Sequence, residues 1–202
     1  MKHFKRFDST GADPSKWTQI PEYIIVPNVL TISECEGLVR YAKKNFPSTE
    51  GRIGGGGVQE GIRKTDLRWI RHPTLEDRIA DHLHWVNQKH WNFGLEEAEF
   101  FQFGEYDKGS HYSWHSDTSS NDFYKHRKLS FTVLLSDTST YTGGKFQVFS
   151  KLTREGKAMV KTVDKLTAGN MVVFPSSTLH RVTPVTNGIR QSLVGWVWGP
   201  KT

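Results

Sequence analysis

Apolar residues recur at two different spacings along the chain, and the change between them divides the sequence in two. In the first half they recur every three or four residues, which is typical of helices that bury one face. Thr31 and Glu34 form a capping box before such a stretch, which predicts a helix ending near Asn45. The same spacing predicts a second helix from Thr74 to His90, with Thr74 as its N-cap.

The second half is built of short apolar stretches separated by glycine-rich turns, which indicates strands. Two earlier strands are predicted within Gln19–Val26 and Arg63–Ile70. The later predicted strands are Glu97–Tyr106, Lys128–Ser136, Lys145–Ser150, Ala158–Val163, Asn170–Phe174, Leu179–Val185 and Arg190–Trp198. Many short strands joined by such turns predict a two-sheet β-sandwich or jelly roll, mainly β within the α+β class.

Length and composition favour one globular domain. The chain has 202 residues, of which 36% are hydrophobic and 24% charged, and no apolar run is long enough for a membrane span. We therefore expect a single domain over residues 1–202. In it, residues 1–96 would supply helical support and a lid, and residues 97–200 would form the β core.

The charge pattern adds little to this expectation, while the single cysteine bears on the compartment. The net charge of +6 is dispersed, which indicates solvated faces and does not require a nucleic-acid partner. The first eight residues are basic but lack an apolar run, which predicts no secretory signal. Cys35 cannot form an internal disulfide and falls on the apolar side of the first helix, so we expect an inert, buried thiol. Together these features predict a cytoplasmic protein.

The candidate chemistry lies in His115 and Asp117, with His180 later in the chain. On an extended segment, a spacing of two puts His115 and Asp117 on one face. Two histidines and one carboxylate form the set that binds Fe(II) and leaves coordination positions open. A lone His-x-Asp also occurs by chance in surface turns and capping pairs. Arg190 strengthens the metal reading, because a planar cation beside an iron site suits a carboxylate ligand.

Three further stretches share a recognisable set of motifs with these residues. The motifs are Tyr106–Gly109 and His115–Asp117, then Leu129–Asp137 and Tyr141–Gly144, then Ala168–Asn170, Phe174–Ser176, His180–Val185 and Gly188–Arg190. Together they cover about residues 98–200 and resemble the Fe(II)/2-oxoglutarate-dependent dioxygenases, in particular the prolyl 4-hydroxylase-like branch. The resemblance implies a double-stranded β-helix with the N-terminal helices packed on one sheet.

The resemblance also implies roles for the candidate residues. His115, Asp117 and His180 would bind Fe(II), 2-oxoglutarate and O2 would take the remaining coordination positions, and Arg190 would pair with the distal carboxylate of 2-oxoglutarate. These four residues form the expected catalytic set. Hydroxylation would release succinate and CO2, and ascorbate is an optional reductant in this expectation.

Tyr106 and Ser192 are further candidates for contact with 2-oxoglutarate. Ser192 shares a strand face with Arg190. Some related hydroxylases have a second tyrosine where this chain has Leu134, so the polar contacts of the cofactor pocket stay partly unassigned. His111 is expected at the surface or behind the ligands, and Trp114 could line the substrate mouth.

The glycine-rich segment Gly51–Gly61 has two possible interpretations. Its glycines lack the Gly-Lys-Ser/Thr ending of a phosphate-binding loop, so that function is excluded. In resembling enzymes a flexible segment between early strands closes over substrate, which makes a substrate lid one reading. An ordinary connection between strands is the other.

Three classes of function remain open from the sequence. The first is a hydroxylase acting on a peptidyl-prolyl or amino-acid-like substrate, with a peptide, protein or small molecule as partner and no membrane. The second is a nucleic-acid demethylase of the same superfamily, which Trp196 argues against because those enzymes usually carry an arginine there. The third is a jelly-roll binding module without redox chemistry. A halogenase is not expected, because Asp117 occupies the position that halide would need.

Overall fold

The computed structural model describes residues 20–50, 63–119, 124–153 and 155–200. The regular structure there is mainly β, and the paired strands run antiparallel. The predicted lid or connection Gly51–Gly61 lies outside the described residues. Within the described part of the chain, no helix has the length and apolar character needed to cross a bilayer.

The first helix, α1, spans Ile32–Asn45 and begins as predicted. The Thr31 hydroxyl accepts a hydrogen bond from the Glu34 backbone N–H at 3.2 Å, and the Glu34 carboxylate accepts one from the Thr31 backbone N–H at 2.8 Å. These reciprocal bonds satisfy two N–H groups that the helix itself leaves without partners.

The second helix, α2, spans Pro73–His90, and the predicted N-cap Thr74 is wrong. The N-cap is His72, and Pro73 takes the first helical position, where its fixed φ suits the helix and its missing N–H costs nothing. The Glu76 carboxylate accepts a hydrogen bond from the His72 backbone N–H at 3.0 Å. A proline at this position therefore overrides the threonine that follows it.

The strands form two large antiparallel sheets and one small one. The seven-stranded sheet has the spatial order β1 (Ile24–Val26), β11 (Met171–Pro175), β7 (Arg127–Leu134), β14 (Arg190–Trp198), β5 (Phe101–Tyr106), β4 (Asp66–Ile70) and β2 (Thr49–Glu50). The five-stranded sheet has the order β10 (Ala158–Thr162), β9 (Phe146–Leu152), β12 (His180–Val182), β6 (His111–His115) and β3 (Arg63–Lys64). A further pair joins β13 (Val185–Asn187) to β8 (Thr142–Gly143). The predicted jelly-roll fold is confirmed.

Two predicted strands are each divided in the structure. The chain predicted as Arg63–Ile70 breaks at the buried Thr65, so that β3 pairs with β6 and β4 pairs with β5 in the other sheet. The chain predicted as Leu179–Val185 breaks before β13, where Pro184 has no N–H to continue a ladder. Alternation of apolar residues does not show which sheet a strand joins, so neither break was predicted.

Each face of the seven-stranded sheet is covered by a separate apolar core. Between this sheet and the helices lie side chains of both helices and of the central strands: Cys35, Leu38, Ala42, Leu75, Ile79, Leu83, Val86, Phe103, Phe131 and Leu193. Between the two large sheets lies a second cluster that includes Tyr106, Leu134, Phe146, Val172 and Phe174. The helices therefore support the sheet from outside, and the space between the sheets is left for the candidate site.

Cys35 lies in the first core, as predicted, with only 1% of its surface exposed. Burial raises the pKa of the Cys35 thiol to about 11, so at pH 8 only about 0.1% of it is thiolate. We expect iodoacetamide to alkylate the folded protein at least about 100-fold more slowly than the urea-unfolded protein. Mass spectrometry of timed samples, with glutathione as the reference thiol, measures both rates. Equal rates would contradict the burial.

Candidate functional site

The three candidate ligands meet at the space between the two large sheets. His115 ends β6 and His180 begins β12, and the two residues are directly opposite each other in that antiparallel pair. The Asp117 Oδ1 atom lies 3.5 Å from His115 Nε2, and its Oδ2 atom lies 3.7 Å from His180 Nε2. One ligand atom from each residue lies within 4.8 Å of the others, which is a spacing that can hold one metal ion.

Backbone carbonyls fix which nitrogen of each histidine faces the centre. His115 Nδ1 lies 2.8 Å from the Ser113 carbonyl oxygen, and His180 Nδ1 lies 2.8 Å from the Thr178 carbonyl oxygen. Because a carbonyl only accepts, each Nδ1 carries the proton and donates it. In the neutral form of each imidazole, Nε2 then presents a lone pair to the centre, as a metal ligand must.

Asp117 is positioned by a turn rather than by the strand spacing expected from the sequence. Strand β6 ends at His115, and the chain then turns toward the end of β11. The Ser176 carbonyl accepts hydrogen bonds from the backbone N–H groups of Asp117 and Thr118, at 3.0 and 3.2 Å, and from the Ser116 hydroxyl at 3.1 Å. These three donors hold the carboxylate in place between the two imidazoles.

Burial and mutual charge keep His180 and Asp117 in the protonation state that binds metal. Burial lowers the pKa of His180 to about 4, although the Asp117 charge opposes this. Burial acts to raise the pKa of Asp117, but the two imidazoles hold it well below its ordinary value. At neutral pH His180 is thus neutral and Asp117 is charged, so neither has to lose a proton when a cation binds.

Aromatic rings enclose the two histidines. The Tyr112 ring stacks on His115 at a centroid distance of 3.5 Å, and the Phe174 and Phe146 rings lie 4.6 and 5.5 Å from His180. Tyr112 reaches His115 because β6 contains a bulge, in which two residues of β6 oppose one of β12. No role for these three rings was predicted from the sequence.

Arg190 lies in a cavity that adjoins this centre. It is 1% exposed and begins β14, with its Cζ atom 5.3 Å from the centre of the Tyr106 ring. One of its nitrogens, Nη1, donates to the Ser192 hydroxyl at 3.0 Å. Among the described residues, its Nε and Nη2 atoms have no hydrogen-bond partner. A buried guanidinium with two free donors is well suited to bind an anion.

The cavity has a volume of about 360 Å³, which is sufficient for a small dicarboxylic acid. Besides Arg190, its lining includes the apolar side chains of Leu134, Phe146, Val163 and Leu166. Phe146 also contacts His180, and so connects the cavity to the three clustered ligands. The donors and the cavity thus fit an iron ion with an attached dicarboxylate.

Comparison with known proteins agrees with an iron site beside a dicarboxylate cavity. The sequence model of the 2OG-Fe(II) oxygenase superfamily matches residues 101–198, a stretch that contains the three clustered ligands and Arg190. Residues 101–198 belong to the 2OG-Fe(II) oxygenase superfamily. The superfamily membership expected from the motifs is therefore confirmed.

Curated relatives match over a little less than half of the chain. A PKHD-type hydroxylase of Synechococcus sp. (strain CC9902) is 42% identical over 91 residues, which are 44% of this chain and 36% of the relative. A PKHD-type hydroxylase of Hyphomonas neptunium is 39% identical over 93 residues, which are 45% of this chain and 38% of the relative. The chain spans less than half the length of these relatives.

Solved structures share this fold over most of the chain. A prolyl-4-hydroxylase of Pseudomonas putida has a TM-score of 0.66 at 22% identity and covers 89% of this chain and 93% of its own. A prolyl hydroxylase from Trichoplax adhaerens, solved with a peptide fragment of a hypoxia inducible factor, has a TM-score of 0.66 at 17% identity and covers 88% and 84%. Together with the curated relatives, these structures fit the prolyl 4-hydroxylase-like branch.

The other predicted site residues fall into two groups. Tyr106 and Ser192 lie beside Arg190, as the contacts above show, and their contact with 2-oxoglutarate stays a prediction. His111 is at the surface, where its Nδ1 lies 3.1 Å from the Gly109 carbonyl oxygen. Trp114 packs against Arg181, whose Cζ atom lies 4.7 Å from the ring centre, and its place at the substrate mouth also stays a prediction.

A buried ion pair lies behind Asp117 and was not found from the sequence. Arg127 binds Glu99 through two nitrogens, at 2.5 and 2.7 Å, and packs on the Trp196 ring at 3.9 Å. Its third nitrogen lies 3.4 Å from the Asp117 carbonyl oxygen. Trp198 Nε1 donates to the same Glu99 carboxylate at 2.7 Å. This cluster supports the turn that carries Asp117.

Replacing Glu99 with glutamine should destabilise the protein. Arg127 would keep a side chain of nearly the same shape beside it but lose the opposite charge. A buried charge without its partner costs about 3–5 kcal/mol. Urea unfolding gives the difference in free energy. The control is Glu36→Gln, which breaks an exposed pair with Arg40 at 3.8 Å and should change stability little. A similarly small effect for Glu99→Gln would show that the ion pair does not support the fold.

Proposed function

We propose that the chain is an Fe(II)- and 2-oxoglutarate-dependent dioxygenase that hydroxylates an unactivated C–H bond in a peptidyl-prolyl or amino-acid-like substrate. The observation that carries this proposal is the convergence of two imidazole Nε2 atoms and one carboxylate beside a cavity with a buried, partly unpaired guanidinium. When bound, iron and 2-oxoglutarate would supply the oxidising chemistry, with O2 as oxidant and succinate and CO2 as co-products.

The three clustered residues would hold the iron. His115 and His180 would bind through Nε2 because their Nδ1 protons are committed to backbone carbonyls. Asp117 would supply the anionic ligand, and the hydrogen bonds to the Ser176 carbonyl would keep its backbone from moving. With three protein ligands, the ion would keep coordination positions free for other ligands.

Arg190 would bind and orient the distal carboxylate of 2-oxoglutarate. A carboxylate in this largely apolar cavity needs a partner, since an isolated buried charge is strongly unfavourable. The free Nε and Nη2 donors can supply two hydrogen bonds together with the opposite charge. The apolar lining would exclude water from around this pair and so strengthen it.

The substrate class rests on the relatives, which are named PKHD-type hydroxylases and prolyl hydroxylases, one of them solved with a peptide fragment. The nucleic-acid demethylase remains the alternative within the superfamily. Trp196 argues against it, because such enzymes usually carry an arginine at this position. In this chain the Trp196 ring instead packs on Arg127. A cytoplasmic location and the use of ascorbate stay predictions.

The decisive experiment measures succinate. Purified protein with Fe(II) and 2-oxoglutarate is incubated with proline-rich peptides, free amino acids and nucleosides, and succinate is quantified by NMR. We expect a substrate-dependent rise with a peptide or amino acid that is absent with Asp117→Ala. A rise with nucleosides alone would favour the demethylase. If wild type binds iron but forms no more succinate than Asp117→Ala with any substrate, the result would favour the binding module.

A further inference from the structure

At the distal end of the proposed 2-oxoglutarate site, the carboxylate can accept more hydrogen bonds than Arg190 alone supplies. A carboxylate has about four acceptor sites, and Arg190 has two free nitrogens because its Nη1 is engaged by Ser192. Leu134, which is 2% exposed in the same cavity, has no polar side-chain atom. A dicarboxylate bound here would therefore gain from a further hydrogen-bond donor.

Among the polar side chains of the cavity lining, Tyr141 is best placed to be that donor. The Thr142 hydroxyl is 2.7 Å from Thr186 Oγ1, and the Thr162 hydroxyl accepts from Gln147 at 3.0 Å. Lys145 is exposed, whereas Tyr141 is partly buried against the apolar core between the sheets. Its phenol ring thus reaches inward, where the ligand would lie.

Gly144 shows that Tyr141 and Arg190 are close to each other. A Cβ atom at Gly144 would lie 2.8 Å from Arg190 Cδ and 3.3 Å from Tyr141 Cε2, so both side chains pack on the same glycine. Its φ of +55° also favours glycine. The backbone of Tyr141 is held in turn by Gly188, where a Cβ would come within 2.8 Å of Tyr141 Cα. The two side chains are thus fixed side by side.

The electrostatic state of Tyr141 agrees with this placement. Burial raises the pKa of Tyr141, and the Arg190 guanidinium lowers it in part, which means that the hydroxyl lies within the field of that charge. The hydroxyl stays protonated at neutral pH and can donate. It would meet the same anion that neutralises Arg190.

We propose that the Tyr141 hydroxyl donates a hydrogen bond to the distal carboxylate of 2-oxoglutarate, beside Arg190. The proposal rests on the proposed function, because it assigns a residue to the same co-substrate. Its consequence is selectivity: Tyr141 favours a 2-oxo acid with a distal carboxylate over one of equal length without it.

The test compares Tyr141→Phe with wild type by isothermal titration calorimetry under argon. Each protein is loaded with Mn(II) and titrated with 2-oxoglutarate and, separately, with 2-oxopentanoate, which lacks the distal carboxylate. Loss of a hydrogen bond to a charged group should raise the Kd for 2-oxoglutarate about tenfold or more. The Kd for 2-oxopentanoate should stay unchanged. Tyr23→Phe is the matched control, because Tyr23 packs on the same core but does not line the cavity.

The outcomes separate this proposal from the proposed function. Wild type that binds Mn(II) but not 2-oxoglutarate would overturn both. Wild type that binds 2-oxoglutarate no more tightly than Tyr141→Phe does would overturn the role of Tyr141 alone. An equal loss of affinity for both ligands in Tyr141→Phe would also overturn it, by showing a general packing effect. The ratio of the two Kd values does not depend on the fraction of folded protein, so partial unfolding cannot imitate the expected result.

Discussion

Asp117→Ala should lower the affinity for Fe(II) by at least about 100-fold, because removing even an outer partner of a metal ligand costs about 10- to 100-fold. The variant loses the one anionic ligand of the cluster, and two neutral imidazoles remain. Anaerobic titration with Co(II), followed by its visible absorption, reports both affinity and geometry. Iron content after reconstitution gives the stoichiometry, and succinate formation should fall to background.

Two controls separate loss of a ligand from general damage. Asp137→Ala removes a surface carboxylate that caps Ser139, and His111→Ala removes a surface histidine from β6 itself. Both should keep full metal affinity. Metal should raise the unfolding temperature of wild type and of both controls, because a metal that binds the native state stabilises it. It should not raise the unfolding temperature of Asp117→Ala, which would bind the metal only weakly. Equal iron content in Asp117→Ala and wild type would contradict the metal centre.

Arg190→Met should weaken 2-oxoglutarate binding by about 2–5 kcal/mol, or roughly 30-fold to several thousand-fold, because it removes one partner of a buried charge pair. Arg190→Lys should fall between the variant and wild type, since an ammonium keeps the charge but not the planar pair of donors. Calorimetry with Mn(II)-loaded protein measures the three Kd values, and metal affinity should be unchanged in all of them.

Arg190→Met should not lower the free energy of unfolding of the ligand-free protein. Arg190 is buried with two unpartnered donors, and an unpaired buried donor is unfavourable in itself. We therefore expect ligand-free Arg190→Met to unfold in urea at a concentration no lower than wild type. A large loss of stability together with unchanged 2-oxoglutarate affinity would make Arg190 a structural residue and contradict its place in the site.

The sequence predicted those parts of the molecule that depend on local pattern. The capping box at Thr31 and the helical spacing after it fixed α1, and the short apolar stretches gave the β-rich half. The convergence of His115, Asp117 and His180 was expected from the motif, and the structure brings the three together. Each of these features is encoded within a few residues or in a motif of recognisable spacing.

Features that depend on contacts between distant residues were not predicted. Glu99 and Arg127 are ordinary surface types by sequence, and only the fold buries them together. The division of the early strand at Thr65 follows from which sheet each half joins. The turn that holds Asp117 depends on the carbonyl of Ser176, far along the chain. All three depend on contacts between distant parts of the chain, and the alternation of residue types does not predict those contacts.

The bulge in β6 makes the site more sensitive to changes in chain length than to changes in side chain. It places Tyr112 and His115 on one face although they are three positions apart. With the bulge in place, inserting a single residue between them would turn one of the two rings away from the centre. Point substitutions at Ser113 would leave that register intact. We therefore expect this short segment to accept many replacements but not an inserted residue.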